Sequence, residues 1–372
     1  SKVSLELFEA RVDLAEDEPA FALTRIRQVR ALHPRLPVSW ARLESGWIEA
    51  QARRALNDIP ACIAAYCTAI EELERCRIGV PPDEYMTAFL AGHSRLYEEI
   101  VTVLVDSNEV ERAFEYSERA RSRALIDLLA RETPPQSAVD ADPTAKRVRY
   151  LRERLTAIYR RLAHGDGGAS SRSMRSVRQA RRSATRLEEE LGRLSRERHL
   201  RSVHEASLIT VQPPDIDAIR ADLGPDTTLV EYFLTGEHLF IFVVTQDGVR
   251  ATKTTARTEE LRFLLQRFHF HLSKFEREEV RGEPLVMRAT DANLQRLAAA
   301  VLQPVAHQLE TTRLVVVPHG VLHHMPMHAL PWGAGSVMDQ FEVVYAPSAA
   351  VYEHSRRDGQ SAQGPPAVFG LP

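Results

Sequence analysis

Apolar residues recur at helical spacing from Val3 to about Glu132, and β-branched runs are few in this stretch. Turn-forming residues interrupt the pattern at five places, namely Pro19, 33–37, Asn57-Asp58, 79–82 and Ser107-Asn108. Such breaks divide the stretch into helices of about 12 to 22 residues joined by short turns. The pattern therefore predicts an all-helical N-terminal portion.

Within this portion, large side chains on one helix alternate with small ones on the next. The large residues of one helix are Tyr97, Ile100, Val101 and Leu104, and the small residues of its partner are Ala113, Ser117 and Ala120. An earlier, looser version has Ala50 followed by Cys62, Tyr66 and Ala69. This complementarity is typical of tetratricopeptide (TPR) repeats. Because Ala69 and Ala120 lie 51 residues apart rather than about 34, we predict an irregular TPR-like helical solenoid over residues 1–135.

The middle of the chain is strongly basic. Residues 146–201 contain 17 Lys and Arg against 6 Asp and Glu, and a turn at Gly165–Ser171 separates two helical stretches. We predict a helical hairpin and linker over residues 136–212. One interpretation is a surface for nucleic acid or an acidic partner. The favoured one is a solvated hairpin whose arginine stems cover apolar stripes around Leu151 and Leu187, since few aromatic side chains interleave with the charges.

After Pro213-Pro214 the hydrophobic period changes to that of strands. Residues 228–234 and 238–245 flank Thr235-Gly-Glu as a hairpin, and a third strand is expected at 250–254. The later elements are expected as helices at 258–275 and 291–309, strands at 314–317 and 341–346, a helix from 348 to 354 and a linker at 357–366. This alternation predicts a three-layer α/β domain over residues 213–372.

Composition indicates the cellular compartment of the protein but not its function. The net charge is −3, no apolar run is long enough to span a bilayer, and no leader pattern begins the chain. Three cysteines without a disulfide framework favour a reducing compartment, so we expect a cytoplasmic protein without membrane contact. The ends at Ser1 and Pro372 are expected to arise from processing or from the choice of segment.

The histidines after the apolar run Leu314–Val317 are the first candidates for chemistry. They stand at positions 319, 323, 324 and 328, so that two pairs are four residues apart, the spacing of ligands on one helix face. However, Pro318, Gly320 and Pro326 interrupt any helix there, and no carboxylate or thiol follows until Asp339. A structural or hydrogen-bonding role is favoured over a metal site.

Nucleophilic catalysis has less support. The cysteines Cys62, Cys67 and Cys76 all fall on predicted repeat helices, where small buried residues are expected. The sequence contains no Gly-x-Ser-x-Gly turn and no glycine-rich phosphate loop ending in Lys-Ser/Thr. We therefore assign no catalytic, cofactor-binding or metal-ligating residue from the sequence.

Several strings in the C-terminal half together resemble a known family. They are Val230–Leu234 with the following strand, the helix from Leu294 to Leu309, Leu314–Leu330, Tyr345–Ser348 and Phe369–Pro372. In order and spacing, residues from about Asp215 to Pro372 resemble the CHAT domain, a caspase-like peptidase domain that follows TPR repeats and is related to separase. The run Glu118–Leu129 is similar to the last repeat before such domains. Met327 departs from the family, which usually has an aromatic residue there.

The resemblance implies that this chain lacks the catalytic dyad. In the family, the catalytic His follows a later strand and the catalytic Cys the strand after that, both beyond the strand that Val368–Pro372 resembles. His323 matches a Leu-His step that is not catalytic. The chain is thus expected to be the TPR-like portion plus the pseudo-caspase half of a CHAT domain, inactive as a peptidase on its own.

Two functions remain open. In the first, the chain is the regulatory and substrate-recruiting portion of a TPR-CHAT cysteine peptidase that cleaves a protein, with bacterial defence or cell death as the setting and a gasdermin-like target as a guess. Its partners would be a protein held by the repeats and the C-terminal catalytic half of the module. In the second, the chain is a stand-alone scaffold with a degenerate CHAT half. Binding of nucleic acid through 146–201 is a third, less favoured option.

Overall fold

The computed structural model describes residues 2–32, 39–78, 94–132, 215–275 and 284–361, with isolated residues between 147 and 190. By its contacts the chain divides into two compact units, one formed by residues 1–103 and 123–211 and the other by residues 104–122 and 212–372. No helix among the described residues is long and apolar enough to cross a membrane. The string Val368–Pro372 and most of the basic segment lie outside the described residues.

The predicted helices are confirmed in the described residues of the N-terminal portion, as are the breaks at Pro19, Asn57-Asp58 and Ser107-Asn108. The breaks expected at 33–37 and 79–82 lie outside the described residues. The helices are α1 (Lys2–Ala15), α2 (Pro19–Leu32), α3 (Ser39–Ala55), α4 (Ile59–Ile78), α5 (Ser94–Asp106) and α6 (Val110–Glu132). In the N-terminal unit α3 packs closely on α4 at Gly46. A Cβ atom on this glycine would lie only 3.1 Å from the Cβ of Ala69. The four residues that the pattern predicted to pack there are buried, namely Ala50, Cys62, Tyr66 and Ala69.

One turn geometry recurs in three places along these helices. Asp17, Asn57 and Asn108 each adopt a left-handed conformation, with φ of 62°, 58° and 60°. The residue after each donates its N–H to the carbonyl five residues back, as in Asp58 to Arg53 at 2.9 Å and Glu109 to Leu104 at 2.8 Å. This is a Schellman-type ending, which satisfies carbonyls left free at a helix terminus. The structure thus contains a repeated helical hairpin, and its assignment as TPR stays a prediction.

The C-terminal unit is built on a mixed five-stranded sheet. Its strands are β1 (Thr227–Leu234), β2 (Leu239–Thr245), β3 (Gly248–Thr254), β4 (Arg313–Val317) and β7 (Glu342–Tyr345), in the order β3-β2-β1-β4-β7. β1 and β2 form the predicted antiparallel hairpin, whereas β4 pairs in parallel with β1 and with β7. A short hairpin, β5 (Pro331–Trp332) with β6 (Gly335–Ser336), was not predicted.

Helices of this unit cover both faces of the sheet. The remaining helices are α7 (Ile216–Leu223), α8 (Thr258–Phe275), α9 (Pro284–Val301), α10 (Val337–Gln340) and α11 (Ala349–Ser361). On one face Val230, Tyr232 and Ile241 pack in a core with α8 and α9. On the other, the ring of Phe114 in α6 lies edge-on to Phe242 in β2, with centroids 5.7 Å apart. This agrees with an α/β layer arrangement, and all eight residues of β1 are buried.

Three predicted helix boundaries are wrong. α9 begins at Pro284 rather than at Asp291, with proline at the first helical position, where its missing N–H costs no hydrogen bond. It ends at Val301 rather than at Leu309, and a 3-10 helix at Gln303–Gln308 that contains Pro304 follows. α11 extends into the expected linker as far as Ser361, because no proline occurs before Pro365 and one glycine costs a helix only about 1 kcal/mol.

A few described residues belong to the basic segment. Arg147 pairs with Glu190 at 2.8 Å, and its guanidinium lies 5.3 Å from the centre of the Tyr150 ring. Leu151 is fully buried. The ion pair joins residues 43 positions apart in the sequence, and the hairpin itself stays a prediction.

Candidate functional site

Three polar residues on one face of α6 are buried against the sheet of the C-terminal unit. Ser117, Glu118 and Arg121 follow helical spacing, and each is at most 5% exposed. They lie where the parallel strands β1 and β4 end, next to Glu231 of β1 and His319 after β4. The carboxyl ends of neighbouring parallel strands, where chain connections diverge, are where α/β folds commonly build sites. We name Ser117, Glu118, Arg121, Glu231 and His319 the strand-end cluster.

Arg121 connects the helix to both strands. Its two terminal nitrogens donate to the carbonyl oxygens of Pro318 and Tyr232. Its Nε lies 3.1 Å from Glu231 Oε1 and 3.7 Å from Glu118 Oε1. A planar guanidinium can serve several acceptors in fixed directions, which a lysine cannot. One side chain therefore holds α6 to the ends of β1 and β4 together.

The two acids of the cluster lie beside the same guanidinium. Burial and the neighbouring Glu231 raise the pKa of Glu118 well above its usual range, opposed by Arg121 and by the N–H of Ala350, which donates to Glu118 Oε2 at 2.9 Å. A proton kept on Glu118 lowers the net negative charge that is buried beside Arg121.

Ser117 completes the cluster on its helix side. Its hydroxyl oxygen lies 2.5 Å from Glu231 Oε1 and 2.8 Å from the carbonyl oxygen of Phe114. The serine was predicted as a small residue for close helix packing, and it is indeed fully buried. Its hydroxyl also gives the buried carboxyl of Glu231 a hydrogen-bond partner, a role that the packing pattern did not indicate.

His319 fixes the loop that follows β4. Its Nδ1 accepts a hydrogen bond from the N–H of Leu234 at 2.9 Å, and its ring stacks on Phe233 with centroids 4.9 Å apart. Burial, then the charge of Arg121 and His323, lowers its pKa to about 3. A neutral imidazole with Nδ1 already occupied is a poor general base near neutral pH. The ring thus ties the end of β1 to the start of the loop.

Each of the other three histidines of the loop has different neighbours. His323 is exposed, and partial loss of solvation together with the charge of Arg121 lowers its pKa. The ring of His324 lies edge-on to His269, and His328 Nδ1 is 3.1 Å from the Tyr345 hydroxyl. Both turns of the loop, Gly320–His324 and Met327–Ala329, are 3-10 helices, so four-residue spacing does not align side chains there. Among the described residues no group of three or more potential ligands could hold a metal.

Two cysteines of the N-terminal unit have described side chains. Cys62 is buried, and burial raises the pKa of its thiol to about 11. Cys67 is partly buried, and neither of the two forms a disulfide. A thiol with a raised pKa is a poor nucleophile because the thiolate is the reactive form. Cys62 therefore behaves as the small buried residue that the helix pattern predicted.

The acid pair and Arg121 were not identified as a site from the sequence. A signal existed in β1, where Glu231 interrupts the apolar run Val230–Leu234. A charge in the middle of a fully buried strand has to be paired. Its partners lie more than a hundred positions earlier, in α6. The polar residues of this helix entered the sequence analysis only because Glu118–Leu129 resembles the last repeat before a CHAT domain.

The C-terminal unit belongs to the α/β class. Its mixed sheet is contacted near the strand ends by α6, a helix that precedes the sheet in the sequence. Residues 291–372 match the family model of the CHAT domain. The resemblance stated from the sequence is thereby confirmed over these residues, which suggests the caspase-like peptidase family. Pro318, His319 and Ala350 lie inside the matched range, whereas Glu118, Arg121 and Glu231 precede it. Met327, the departure from the family pattern, is fully buried in the core. No curated protein matches the chain.

Proposed function

We propose that this chain is the regulatory and substrate-recruiting portion of a TPR-CHAT cysteine peptidase that cleaves a protein. The CHAT match over residues 291–372 supports the family. The proposed setting is bacterial defence or cell death, with a gasdermin-like protein as the candidate target. The catalytic His and Cys would come from the C-terminal half of the module, since the resemblance assigns neither role to a residue of this chain.

The observation that carries the regulatory part is the contact of Arg121 with Tyr232 and Pro318. Tyr232 lies near the end of β1 and Pro318 directly follows β4, so a displacement of α6 along its axis would break both bonds and expose a buried cation. The position of this helix and the conformation of the loop after β4 are therefore coupled. A protein bound to the helical repeats would change activity by stabilising or displacing α6.

A peptidase assay tests the proposal directly. This chain and a version extended past Pro372 would be incubated with a library of fluorogenic peptides, with and without iodoacetamide. We expect cleavage only by the extended version, abolished by iodoacetamide. Activity of the 372-residue chain alone would overturn the proposal. Inactivity of both versions would favour the alternative, a scaffold with a degenerate CHAT half.

The coupling is tested in the extended version with Arg121→Lys. Lysine keeps the charge but cannot reach both carbonyls in the same geometry. We expect lower activity than in Val230→Ala, a core variant of β1 chosen to match the loss of stability. Equal activity of the two variants at equal stability would show that the Arg121 contact is structural only.

A further inference from the structure

The first helix of the N-terminal unit has two apolar faces. Leu7 and Ala10 are buried in a core with Ala22, Leu23 and Ile26 of α2, and Leu14 packs partly against it. This inner face accounts for the packing of α1 within its own unit. A helix that lies on the surface of a folded unit needs only one such face.

The second face is exposed. Leu5, Phe8 and Val12 are 57%, 64% and 37% exposed, at spacings of three and four residues. At 3.6 residues per turn this row lies roughly 160° from Leu7, Ala10 and Leu14. Phe21, near the start of α2, is also 63% exposed. We name Leu5, Phe8 and Val12 the outer stripe; side chains in such a row mark an interaction surface.

The inner face of α1 shows what kind of occupant this helix accepts. It carries apolar residues at the same three- and four-residue spacing and packs against helices, with α1 contacting both α2 and α3. Ridges of side chains at this spacing fit the grooves of another helix. The outer stripe thus continues the helix-on-helix packing of the unit, and an amphipathic helix fits it better than an extended peptide.

The charges near the outer stripe decide between a second copy and a different partner. Glu16, Asp17 and Glu18 are exposed where α1 ends. Arg11 of α1 and Arg25 of α2 already pair with Glu44 and with Glu9. The C-terminal end of a helix also carries a partial negative charge. Two copies meeting through this surface in antiparallel fashion would bring acids close to the partner's apolar stripe without a cation to pair them. A helix with basic flanks complements the same surface.

We propose that the outer stripe docks an amphipathic helix of a protein partner, with leucine-like side chains on one face and Lys or Arg beside them. Docking at the outer stripe specifies which surface of the helical repeats recruits a partner and what kind of segment binds there. Only the regulatory role of the bound partner rests on the proposed function.

The test uses the 372-residue chain and a labelled 18-residue helical peptide with a leucine stripe flanked by lysines. Fluorescence anisotropy should show saturable binding. Phe8→Gln should raise the Kd about tenfold, the usual effect of losing a central apolar anchor. The matched control is Phe263→Gln on α8, since Phe263 is 57% exposed, and it should leave the Kd unchanged. A peptide with glutamates in place of the lysines should bind at least about tenfold more weakly.

Three results would overturn the proposal. Equal effects of Phe8→Gln and Phe263→Gln would show non-specific adhesion. A concentration-dependent dimer that Phe8→Gln dissociates would assign the stripe to a second copy. Protection of a Phe8→Cys thiol from labelling in a version extended before Ser1 would assign it to another segment of the same protein. None of these readouts involves cleavage, so failure here is distinguishable from failure of the peptidase proposal.

Discussion

At the scale of single residues, the strand-end cluster is a compact arrangement of opposite charges in a buried place. Arg121 lies beside two buried acids and donates at the same time to the carbonyl oxygens of Tyr232 and Pro318. Buried charges are costly to leave unpaired, whereas a complete set is close to neutral in its effect on stability. The consequences of substitution should therefore differ sharply between members.

Arg121→Met should destabilise the C-terminal unit by about 3–5 kcal/mol, because it leaves an excess negative charge and two carbonyls without a donor. Chemical denaturation followed by tryptophan fluorescence and circular dichroism measures the change. The control is Arg112→Met, which removes an exposed arginine paired with Glu109 in the same helix and should cost under about 1 kcal/mol. A loss below about 1 kcal/mol for Arg121→Met would show that Arg121 does not hold α6 to β1 and β4.

Glu118→Gln should remove a pH dependence from stability. The folded chain keeps a proton on Glu118 that the unfolded chain releases above about pH 4.5. This stabilisation is complete below that value and declines as the pH rises towards the raised pKa, by at most about 1.4 kcal/mol per pH unit. A glutamine in this position can still donate to Glu231 and accept from Ala350, but it has no proton to release.

The comparison is made by denaturation at pH values from 4.5 upward, where the unfolded chain has released this proton. Glu111→Gln, an exposed change in the first turn of α6, keeps the same histidines and should keep the wild-type decline. If Glu118→Gln shows the same slope as the wild type, Glu118 does not keep a proton that the unfolded chain has released.

His319 should oppose this trend at lower pH. Because its pKa is about 3 when folded and about 6.5 when unfolded, its contribution is complete above 6.5 and is lost as the pH falls towards 3. We expect the His319 ring signals in proton NMR to show no titration between pH 5 and 8. A midpoint within that range would contradict the buried, neutral imidazole.

At the scale of elements, most helices and strands follow from local periodicity. α8 occupies 258–275 as predicted, and β1 to β4 lie within two residues of their expected bounds. The prediction failed at both ends of α9 and at the end of α11. Pro284 is a helix-start signal that was missed, whereas no proline marks the end of α11. The strand-end cluster could not be predicted because its partners are 114 positions apart, from Ser117 to Glu231, and no local pattern specifies such a pair.

The recurring turn can be tested at Asn57. Asn57→Val should cost about 1–2 kcal/mol, because a β-branched residue is poorly accommodated at φ of 58°. Asn57→Gly keeps the conformation accessible and should stay within about 0.5 kcal/mol of the wild type. Thermal unfolding of both variants measures the difference. Equal losses would mean that the left-handed conformation at this turn is not required.

At the scale of the whole molecule, the boundary between units falls inside helices rather than in a linker. Contacts assign residues 104–122 to the unit that contains the sheet, although they precede the basic segment. Phe114 packs on Phe242, and Arg121 pairs with Glu231. The sheet therefore depends on side chains that come more than a hundred positions before its first strand.

A fragment comprising residues 213–372 should fold poorly, bind the dye ANS and unfold without a cooperative transition. It retains the sheet but leaves Glu231 buried without a cation and one face uncovered. Adding a synthetic peptide of residues 104–132 should restore cooperative unfolding, whereas the same peptide with Arg121→Met should not. Cooperative unfolding of the fragment alone would show that the sheet does not need α6.

The contact of Arg121 with main-chain oxygens has an evolutionary consequence. Every residue supplies a carbonyl, so the strand positions corresponding to Tyr232 and Pro318 can drift in side-chain identity without breaking these bonds. The guanidinium has no such freedom, because no other side chain supplies its fork of donors. Among relatives we expect the helix arginine to persist while the two strand-end residues vary, an asymmetry that aligned sequences would reveal without any experiment on this protein.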